Sequence, residues 1–219
     1  MTVLTEPNSL GDALKWEQSN DYSREKVTVL AGQVLAALSV VGKVTRVTPA
    51  TGAADAGNTG TGTCGSVTAG QKTKVGTYLL TCIAAASNAG TFSVRDPDGN
   101  LLPDATVGVA YTNPQINFAL ADAGAEDFIV GDKFTIVVSA GSGKVVAFAE
   151  AAVNGSEDPV GFLIAAVDAT SADKQGVIIA RDALVAMNNL VWPAEISAGD
   201  KAAAIAALEA LGIKAVSLA

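Results

Sequence analysis

Carboxylate and amide side chains are the groups of this sequence most able to do chemistry, because the chain contains no histidine. Asp96, Asp98 and Asn100 in the segment DPDGN have the spacing of oxygen ligands in a calcium loop. The remainder of such a loop, with its closing glutamate, is missing, and Pro97 favours a plain turn. The sequence therefore predicts a turn at residues 96–100 and no metal site.

Two further arrangements of residues are candidates for catalysis or for phosphate binding. Five carboxylates lie in Gly- and Ala-rich text: Asp55, Asp122, Glu126, Asp127 and Asp132. No apolar pocket surrounds them in the sequence to raise a pKa, so we expect solvated loop charges. The segment GSGK at residues 141–144 lacks the first glycine and the following Ser or Thr of a phosphate loop, which favours a hairpin corner. Without the commonest general base, the sequence predicts no enzyme, no cofactor and no metal.

Composition favours a sheet protein with small side chains in its core. Hydrophobic residues make up 49% of the 219 residues, but aromatic residues only 5%. Plentiful Val, Thr, Ala and Gly fit pleated sheets better than an all-helical bundle. The net charge of −8 disfavours a surface that binds nucleic acid, since such a surface needs clustered Lys and Arg.

The sequence gives no sign of a membrane protein or a secreted one. The first residues contain no basic segment followed by an apolar one, so no signal peptide is predicted. The longest apolar stretch, residues 27–41, is interrupted by polar residues and is shorter than the roughly 20 residues of a spanning helix. Cys64 and Cys82 are expected to be free, buried or half-buried thiols in a reducing cytosol, with a disulfide formed after lysis as the alternative.

The C-terminal part of the chain must provide the main folded element. Two short β-branched runs, Val160–Val167 and Gly176–Ala180, predict a pair of buried strands. Ser197 and Asp200 have the spacing of a helix cap. The Ala-rich run that follows predicts a helix over residues 202–211, which ends at Gly212. Three apolar residues should share one face of this helix: Ile205, Leu208 and Leu211. A last short strand is predicted at Ile213–Leu218.

This succession resembles the head-decoration, or capsid-stabilising, proteins of lambda-like tailed phages. The resemblance rests on GKVVAF (Gly143–Phe148), NGSEDP, VGFLIAAVDAT (Val160–Thr170), LVWPAEIS (Leu190–Ser197) and the terminal Ala-rich helix. These segments cover about half the chain. The resemblance implies a mainly β (α+β) protein, with a β-clip-like decoration core and a C-terminal helix. It also implies a non-enzymatic homotrimer at the three-fold positions of an expanded head, which cements neighbouring major capsid protein subunits.

A repeated GKV text divides the chain into domains. If Lys43–Val47 pairs with Lys144–Phe148, residues 48–142 form an insert at a hairpin tip, since the ends of an insert must lie close together. The predicted core is then residues 27–47 with 143–219. The insert begins with PATGAADAGNTGTGT, which predicts a mobile linker. Four alternating runs then predict a small β-sandwich: Gly76–Ile83, Thr91–Arg95, Gln115–Leu120 and Lys133–Ser139.

The remaining candidate sites are in the N-terminal segment and in a Trp-Pro pair. Residues 1–26 are too polar to form a core of their own, so we expect them to be mobile in the free protein, either as a disordered terminus or as an arm that becomes ordered on a partner. The resemblance implies that they are the arm that binds the capsid. Four large apolar residues would anchor this arm: Leu10, Leu14, Trp16 and Tyr22. Trp192 and Pro193 are predicted to be structural, near a subunit boundary, with a simple core tryptophan as the alternative.

A second function of a different class stays open at this point. A β-module displayed on a virion would bind glycans or another surface through exposed aromatic side chains, for which the insert offers Tyr78 and Tyr111. Under either function, the expected location is the virion, on the outer surface of a head assembled in the host cytoplasm.

Overall fold

The computed structural model describes residues 9–122 and 126–216. Over these residues the chain has three α-helices and a short 3-10 helix at Met187–Asn189. The α-helices are α1 (Leu10–Ala13), α2 (Asn20–Ser23) and α3 (Ala198–Ala210). The strands are β1 (Leu14–Glu17), β2 (Arg24–Val29), β3 (Gln33–Leu35), β4 (Val40–Lys43), β5 (Arg46–Val47), β6 (Ala53–Ala54), β7 (Thr63–Ala69), β8 (Gly76–Ala86), β9 (Ala89–Arg95), β10 (Leu101–Thr106), β11 (Ala110–Tyr111), β12 (Ile116–Ala121), β13 (Lys133–Ala140), β14 (Val145–Ala147), β15 (Pro159–Leu163), β16 (Val167–Ala169), β17 (Lys174–Ile179), β18 (Ala183–Val185) and β19 (Ile213–Ala215). The predicted fold class, mainly β with a C-terminal helix, is confirmed. None of the helices in these residues is long and apolar enough to cross a membrane.

The chain divides into two compact units. The split unit is residues 1–44 with 143–219, and the inserted unit is residues 45–142. Among the described residues, each buried apolar cluster takes all its members from one unit. That each unit folds without the other stays a prediction.

A closed five-stranded barrel forms the centre of the split unit, in the order β14-β2-β17-β15-β4. The barrel closes because β14 pairs with β4 on one side and with β2 on the other. Its buried side chains are small and β-branched, as the composition predicted, and include Val29, Val41, Val145 and Ile178. Closure leaves these strands without free edges within the barrel.

Gly161 in β15 shows how closely the barrel strands approach each other. Its φ is +143°, and a Cβ at this position would lie 2.1 Å from the carbonyl oxygen of Ile179 in β17. That distance is far shorter than any non-bonded contact between a carbon and an oxygen atom. The neighbouring pair, Phe162 with Ile179, is in register. The barrel therefore requires glycine at residue 161.

Helix α3 and a three-stranded sheet, β1-β18-β19, enclose a second apolar cluster of the split unit. Ser197 caps α3: its hydroxyl accepts a hydrogen bond from the Asp200 backbone N–H at 3.1 Å, as predicted. Gly212 ends the helix with a φ of +81°. Leu208 is fully buried, whereas Leu211 is 40% exposed. Of the three residues predicted to share one face, Leu211 is thus the C-cap residue and stays exposed, while Leu208 packs into the cluster.

The predicted strand pair of the C-terminal part is confirmed as β15 and β17, which are antiparallel neighbours. The pairing predicted around Lys43 is also present, since Val145 lies opposite Lys43. It extends toward Val41, however, and not toward Val47. Val47 instead pairs with Ser139 of β13 in the inserted unit. The last strand is shorter than predicted, at β19, and the rest of the predicted segment lies outside the described residues beyond 216.

The inserted unit is built from two antiparallel sheets. The larger has the order β10-β9-β8-β13-β5, with β6 also paired to β13, and the smaller has the order β11-β12-β7. The four predicted strands are confirmed as β8, β9, β12 and β13. Alternation places the rings of Phe92 and Phe134 in the core, where Phe128, from the loop before β13, meets both edge-on with centroids 5.1 and 5.8 Å apart.

The Gly- and Thr-rich run at residues 49–63 is not a mobile linker, so that prediction is wrong. The side chain of Asp132 accepts hydrogen bonds from the backbone N–H groups of Thr59 and Gly60, both at 2.9 Å. Gly52 donates to the carbonyl of Cys64 at 2.9 Å. Small residues permit this close packing, since a Cβ at residue 60 would lie 2.6 Å from the Phe128 ring. The run is thus a packed part of the inserted unit.

Strand β10 forms one edge of the larger sheet. It contains Pro103, which has no N–H to offer to another strand. Its register with β9 shifts between Leu102 and Ala105, so the strand also carries an irregularity in mid-course. Both features make this edge a poor template for further strand pairing.

Candidate functional site

The first described element of the predicted arm is helix α1, which hydrogen bonds fix to the rest of the split unit. Ser9 starts the helix: its backbone N–H donates to the Asp12 carboxylate at 2.7 Å. The amide of Asn189 donates to the carbonyl of Asp12 at 2.7 Å, and the N–H of Ala186 donates to the carbonyl of Ala13 at 2.8 Å. Ala13 is completely buried. These bonds tie the segment to the turn that precedes Trp192.

Strand β1 follows directly and presents Trp16 at the surface. Trp16 lies opposite Leu184 of β18, and Leu184 lies opposite Lys214 of β19. Side chains directly opposite in neighbouring strands project from the same face of a sheet. Trp16 is 52% exposed and Leu184 38% exposed. Trp16, Leu184 and Lys214 thus form one row on this face of the sheet.

Tyr22 is held at the surface by one arginine. The Arg181 guanidinium lies 5.7 Å from the centre of the Tyr22 ring and donates to the Tyr22 carbonyl at 2.7 Å. It also pairs with Glu25 at 2.8 Å. Tyr22 is 50% exposed. With Leu211 and other residues of the split unit, it lines a groove of about 880 Å³ with side chains of both charge signs.

The structure therefore places the four predicted arm residues in two groups. Leu10 and Leu14 are half-buried and pack against the cluster beneath α3. Trp16 and Tyr22 face solvent. The described part of the predicted arm, from residue 9 onward, is folded onto the split unit and not separate from it, because β1 finds its partner in β18. Residues 1–8 lie outside the described residues.

Sequence reasoning missed Leu184 and Arg181, which share these surfaces with Trp16 and Tyr22. Each is about 160 residues away in sequence from its aromatic neighbour. Only the register of β1 with β18 brings Leu184 next to Trp16. No local pattern in the sequence indicates that register.

Trp192 is half-buried, and its ring meets three groups of the split unit. Its indole N–H donates to the carbonyl of Met187 at 3.1 Å. The ring lies edge-on to Phe148, with centroids 6.3 Å apart, and the ammonium of Lys201 lies 5.4 Å from its centre. Pro193, the next residue, is also half-buried. The pair links the 3-10 helix to α3.

Replacing Trp192 with alanine is expected to lower the free energy of unfolding by about 2–3 kcal/mol, less than the 3–5 kcal/mol of a fully buried Trp, because part of the ring is already in water. Trp192→Phe keeps a ring against Phe148 but loses the hydrogen bond to Met187 and part of the ring area, so its loss should be smaller, about 1–2 kcal/mol. Urea unfolding followed by circular dichroism measures both. Equal losses in the two variants would contradict the packing role.

The segment DPDGN in the inserted unit is a turn, as predicted, and its first carboxylate is buried. Asp96 is 3% exposed and accepts hydrogen bonds from the backbone N–H groups of Asp98 and Asn100 at 3.0 and 2.9 Å. The ammonium of Lys74 lies 2.6 Å from carboxylate oxygens of both Asp96 and Asp98. Lys74 above all, and then Asn100, hold the pKa of Asp96 well below its ordinary value of 3.8. The two carboxylates in turn raise the pKa of Lys74.

Acid is expected to weaken the inserted unit through Asp96. A lowered pKa in the folded state means that folding favours the charged carboxylate, so this contribution is complete above about pH 4, the ordinary Asp range, and is lost as the pH falls toward the folded pKa. Asp96→Asn should therefore flatten the dependence of unfolding on pH below about pH 4. Asp98→Asn is the matched control, since that side chain is 63% exposed. Identical acid unfolding of Asp96→Asn and the unchanged protein would contradict this account.

Asp132 corrects a further expectation, that the loop carboxylates are solvated. It is 3% exposed, and the N–H of Ile129 donates to it at 3.0 Å. This bond and those from the run at residues 49–63 keep its pKa below the ordinary value, against the opposing effect of burial. Within residues 9–122 and 126–216, no three acidic, Cys or His side chains are grouped as metal ligands would be.

Both cysteines are free and buried, which confirms the first of the two expectations for them. Burial raises the pKa of Cys64 to about 11, and it raises the pKa of Cys82 as well. Protonated thiols are poor nucleophiles, so neither group is activated for chemistry.

Comparison with known protein families shows to which family the chain belongs. The family model described as bacteriophage lambda head decoration protein D matches residues 3–213, which is nearly the whole chain. The chain belongs to this family. It is therefore a phage head decoration protein, a structural component of the virion that binds the capsid. The resemblance inferred from the sequence is confirmed.

No curated protein matches the chain. Among solved structures, two crystal forms of Xanthomonas campestris FlgL, in space groups H3 and C2, match at 19% and 20% identity. The matches cover 50% and 53% of this chain and 34% and 32% of those chains, each with a TM-score of 0.31. This decoration protein thus spans about a third of the FlgL structures, and a likeness at that score supports no conclusion about its fold or function.

Proposed function

We propose that the protein binds as a homotrimer to the outside of an expanded phage head at its three-fold positions, and that it stabilises the head by bridging neighbouring subunits of the major capsid protein. Membership of the decoration family over residues 3–213 carries this proposal. The net charge of −8 supports an outward position, because a part that lines the DNA-filled interior would meet a high density of phosphate.

The capsid contact in this proposal combines residues 1–8 with the exposed aromatic residues Trp16 and Tyr22. Leu10 and Leu14 are half-buried against the split unit, so in this proposal they fix the segment in place beside the exposed anchors. Aromatic side chains anchor protein interfaces because they bury a large area with few rotatable bonds. Three such contacts per trimer would add their strength through effective concentration.

Trp192 and Pro193 are proposed to lie at a trimer edge. Both are half-buried in the single chain, so part of each side chain is available to a neighbouring copy. Size-exclusion chromatography with light scattering tests the trimer, and the Trp192→Phe variant tests the edge. A weaker trimer with an unchanged monomer fold would support this position.

Removing residues 2–8 is expected to leave a folded trimer that no longer co-sediments with expanded heads lacking decoration. The described elements all begin after residue 8, so this truncation leaves α1 and β1 intact. A longer truncation, of residues 2–22, would remove Ala13 and β1 and should also destabilise the split unit, so it does not isolate binding. Head binding by the short truncation as tight as that of the full chain would remove residues 1–8 from the contact.

Single substitutions separate the anchors from the rest of the surface. Trp16→Ala should weaken head binding by at least about 2 kcal/mol, which is the size of an interface hot spot. It should change the unfolding free energy by less than about 1 kcal/mol, because half of the side chain is already exposed. Val34→Ala is the matched control, since Val34 is 71% exposed and lies in the β16-β3 sheet, apart from the sheet that carries Trp16.

Glycan binding by the inserted unit has no such support. Its two tyrosines, Tyr78 and Tyr111, are 0% and 7% exposed. The phenylalanines of its described residues are buried as well. The exposed aromatic platform on which that alternative depended is therefore not formed by residues 45–122 and 126–142.

A further inference from the structure

The loop between β14 and β15 in the split unit contains an Asn-Gly pair, Asn154–Gly155, and this is the one such pair in the sequence. The loop is closed by a hydrogen bond from the N–H of Ala149 to the carbonyl of Ser156 at 3.1 Å. Gly155 and Ser156 are buried, and Asn154 is half-buried. In an Asn-Gly pair the glycine nitrogen can reach the side-chain amide carbon of the asparagine, because glycine has no Cβ in the way.

The nucleophile of such a reaction already has a base beside it. The backbone N–H of Gly155 donates a hydrogen bond to a carboxylate oxygen of Glu157 at 2.7 Å. A general base must lie within hydrogen-bond reach of the proton that it removes. Glu157 meets that requirement for the Gly155 N–H in the folded chain.

The electrophile is also held by suitable donors. The side-chain oxygen Oδ1 of Asn154 accepts hydrogen bonds from the Ser156 N–H at 3.0 Å and from the Ser156 hydroxyl at 2.7 Å. Attack on the amide carbon would place negative charge on this oxygen. Donors fixed at the position of developing charge lower the barrier of acyl transfer. The two groups on Ser156 therefore occupy the position of an oxyanion hole for Asn154.

We propose that Asn154 is a site of self-modification, at which the folded loop converts asparagine into aspartate or isoaspartate. Glu157 removes the proton of the Gly155 nitrogen, and that nitrogen forms a bond to Cγ of Asn154. The intermediate collapses when its Nδ2 group takes the proton from Glu157 and leaves as ammonia, which gives a five-membered succinimide. Water then opens the ring at either carbonyl. The sum consumes one water and releases one ammonia, with no oxidation or reduction.

The modification is independent of the proposed head binding and adds a new charge to the split unit. The product carboxylate at residue 154 lies in a loop that already carries Glu157 and Asp158. Like charges gathered in one loop repel each other. Opening at the other carbonyl also inserts an extra backbone atom at residue 154. The charge and backbone of this loop therefore change with the age of the protein.

The test measures succinimide, aspartate and isoaspartate at residue 154 by peptide mapping and mass spectrometry, in the full-length protein kept in neutral buffer. Glu157→Gln retains the size of the side chain but removes the base, and Ser156→Ala removes one oxyanion donor. Each should slow the conversion by about tenfold or more. Asp158→Asn is the matched control and should convert at the unchanged rate. A synthetic peptide of residues 149–160 reports the rate without the fold, and it should be slower than the folded protein.

Equal rates in the unchanged protein and in folded Glu157→Gln would overturn the proposal. A peptide that converts faster than the folded chain would overturn it as well, because the loop would then protect Asn154. If either variant fails to fold by circular dichroism, the comparison of folded protein with peptide still decides the matter.

Discussion

A chain in which residues 45–142 are replaced by an Asn-Gly turn is expected to fold and to keep the trimer formation and head binding that we propose for the full protein. The reason is the geometry at the point of insertion. The N–H of Val44 donates to the carbonyl of Lys144, and the N–H of Gly143 donates to the carbonyl of Val44, both at 2.9 Å. The two ends are thus already at the spacing of a tight hairpin, for which Asn-Gly is the preferred turn.

The buried clusters support the same expectation. Among residues 9–122 and 126–216, no member of the two clusters in the split unit comes from residues 45–142, and the cluster of the inserted unit takes its members from Cys64 to Val138. The deletion therefore removes no described side chain from the clusters that remain. Calorimetry should show that one thermal transition of the full chain has disappeared. An isolated fragment of residues 45–142 is the matched control and should fold by itself. A shortened chain that is insoluble, or that has lost its tertiary circular dichroism, would show that the split unit needs the insert.

Gly161→Ala is expected to unfold the barrel or to destabilise it by more than about 4 kcal/mol, a loss found in few single substitutions. The added methyl group would lie 2.1 Å from the backbone oxygen of Ile179. Neither backbone can withdraw, because both strands are held on their other sides within the closed barrel. The residue also has a φ that side chains rarely adopt.

Gly32→Ala is the control that isolates the steric effect. Gly32 has a φ of +87°, but nothing lies within 4 Å of its would-be Cβ. It should therefore cost only the backbone strain, about 1–2 kcal/mol. Chemical unfolding of both variants gives the comparison. Similar losses at the two positions would mean that β15 and β17 can separate enough to admit a methyl group.

Much of the fold could be predicted from the sequence because its signals are local. Ser197 and Gly212 delimit a helix by cap chemistry that involves only near neighbours. The alternation of Phe134, Ile136 and Val138 identifies a half-buried strand without knowledge of its partners. The pairing of Lys43 with Val145 joins distant segments, and the sequence predicted it only through the GKV text that occurs at both places.

The predictions that failed depend on partners far away in the sequence. Residues 49–63 have the composition of a linker, but the buried carboxylate of Asp132 and the backbone of β13, to which β6 pairs, order them. The N-terminal segment lacks a core of its own, but β18 supplies a strand partner and a buried site for Ala13. Composition measures what a segment can do alone. It cannot show that a distant residue provides the missing hydrogen bonds.

The edge strand β10 of the larger sheet in the inserted unit affects how readily decorated particles would aggregate. On a decorated shell, as proposed here, copies of this unit would be displayed side by side at a fixed and very high local concentration. Under such conditions an open strand edge could pair with the edges of neighbouring copies and form cross-β stacks. Pairing between copies on different particles would aggregate the particles. Pro103 withholds a donor from that edge, and the irregularity between Leu102 and Ala105 spoils its register. Strand β10 would thus limit edge-to-edge pairing between copies and keep densely coated particles dispersed.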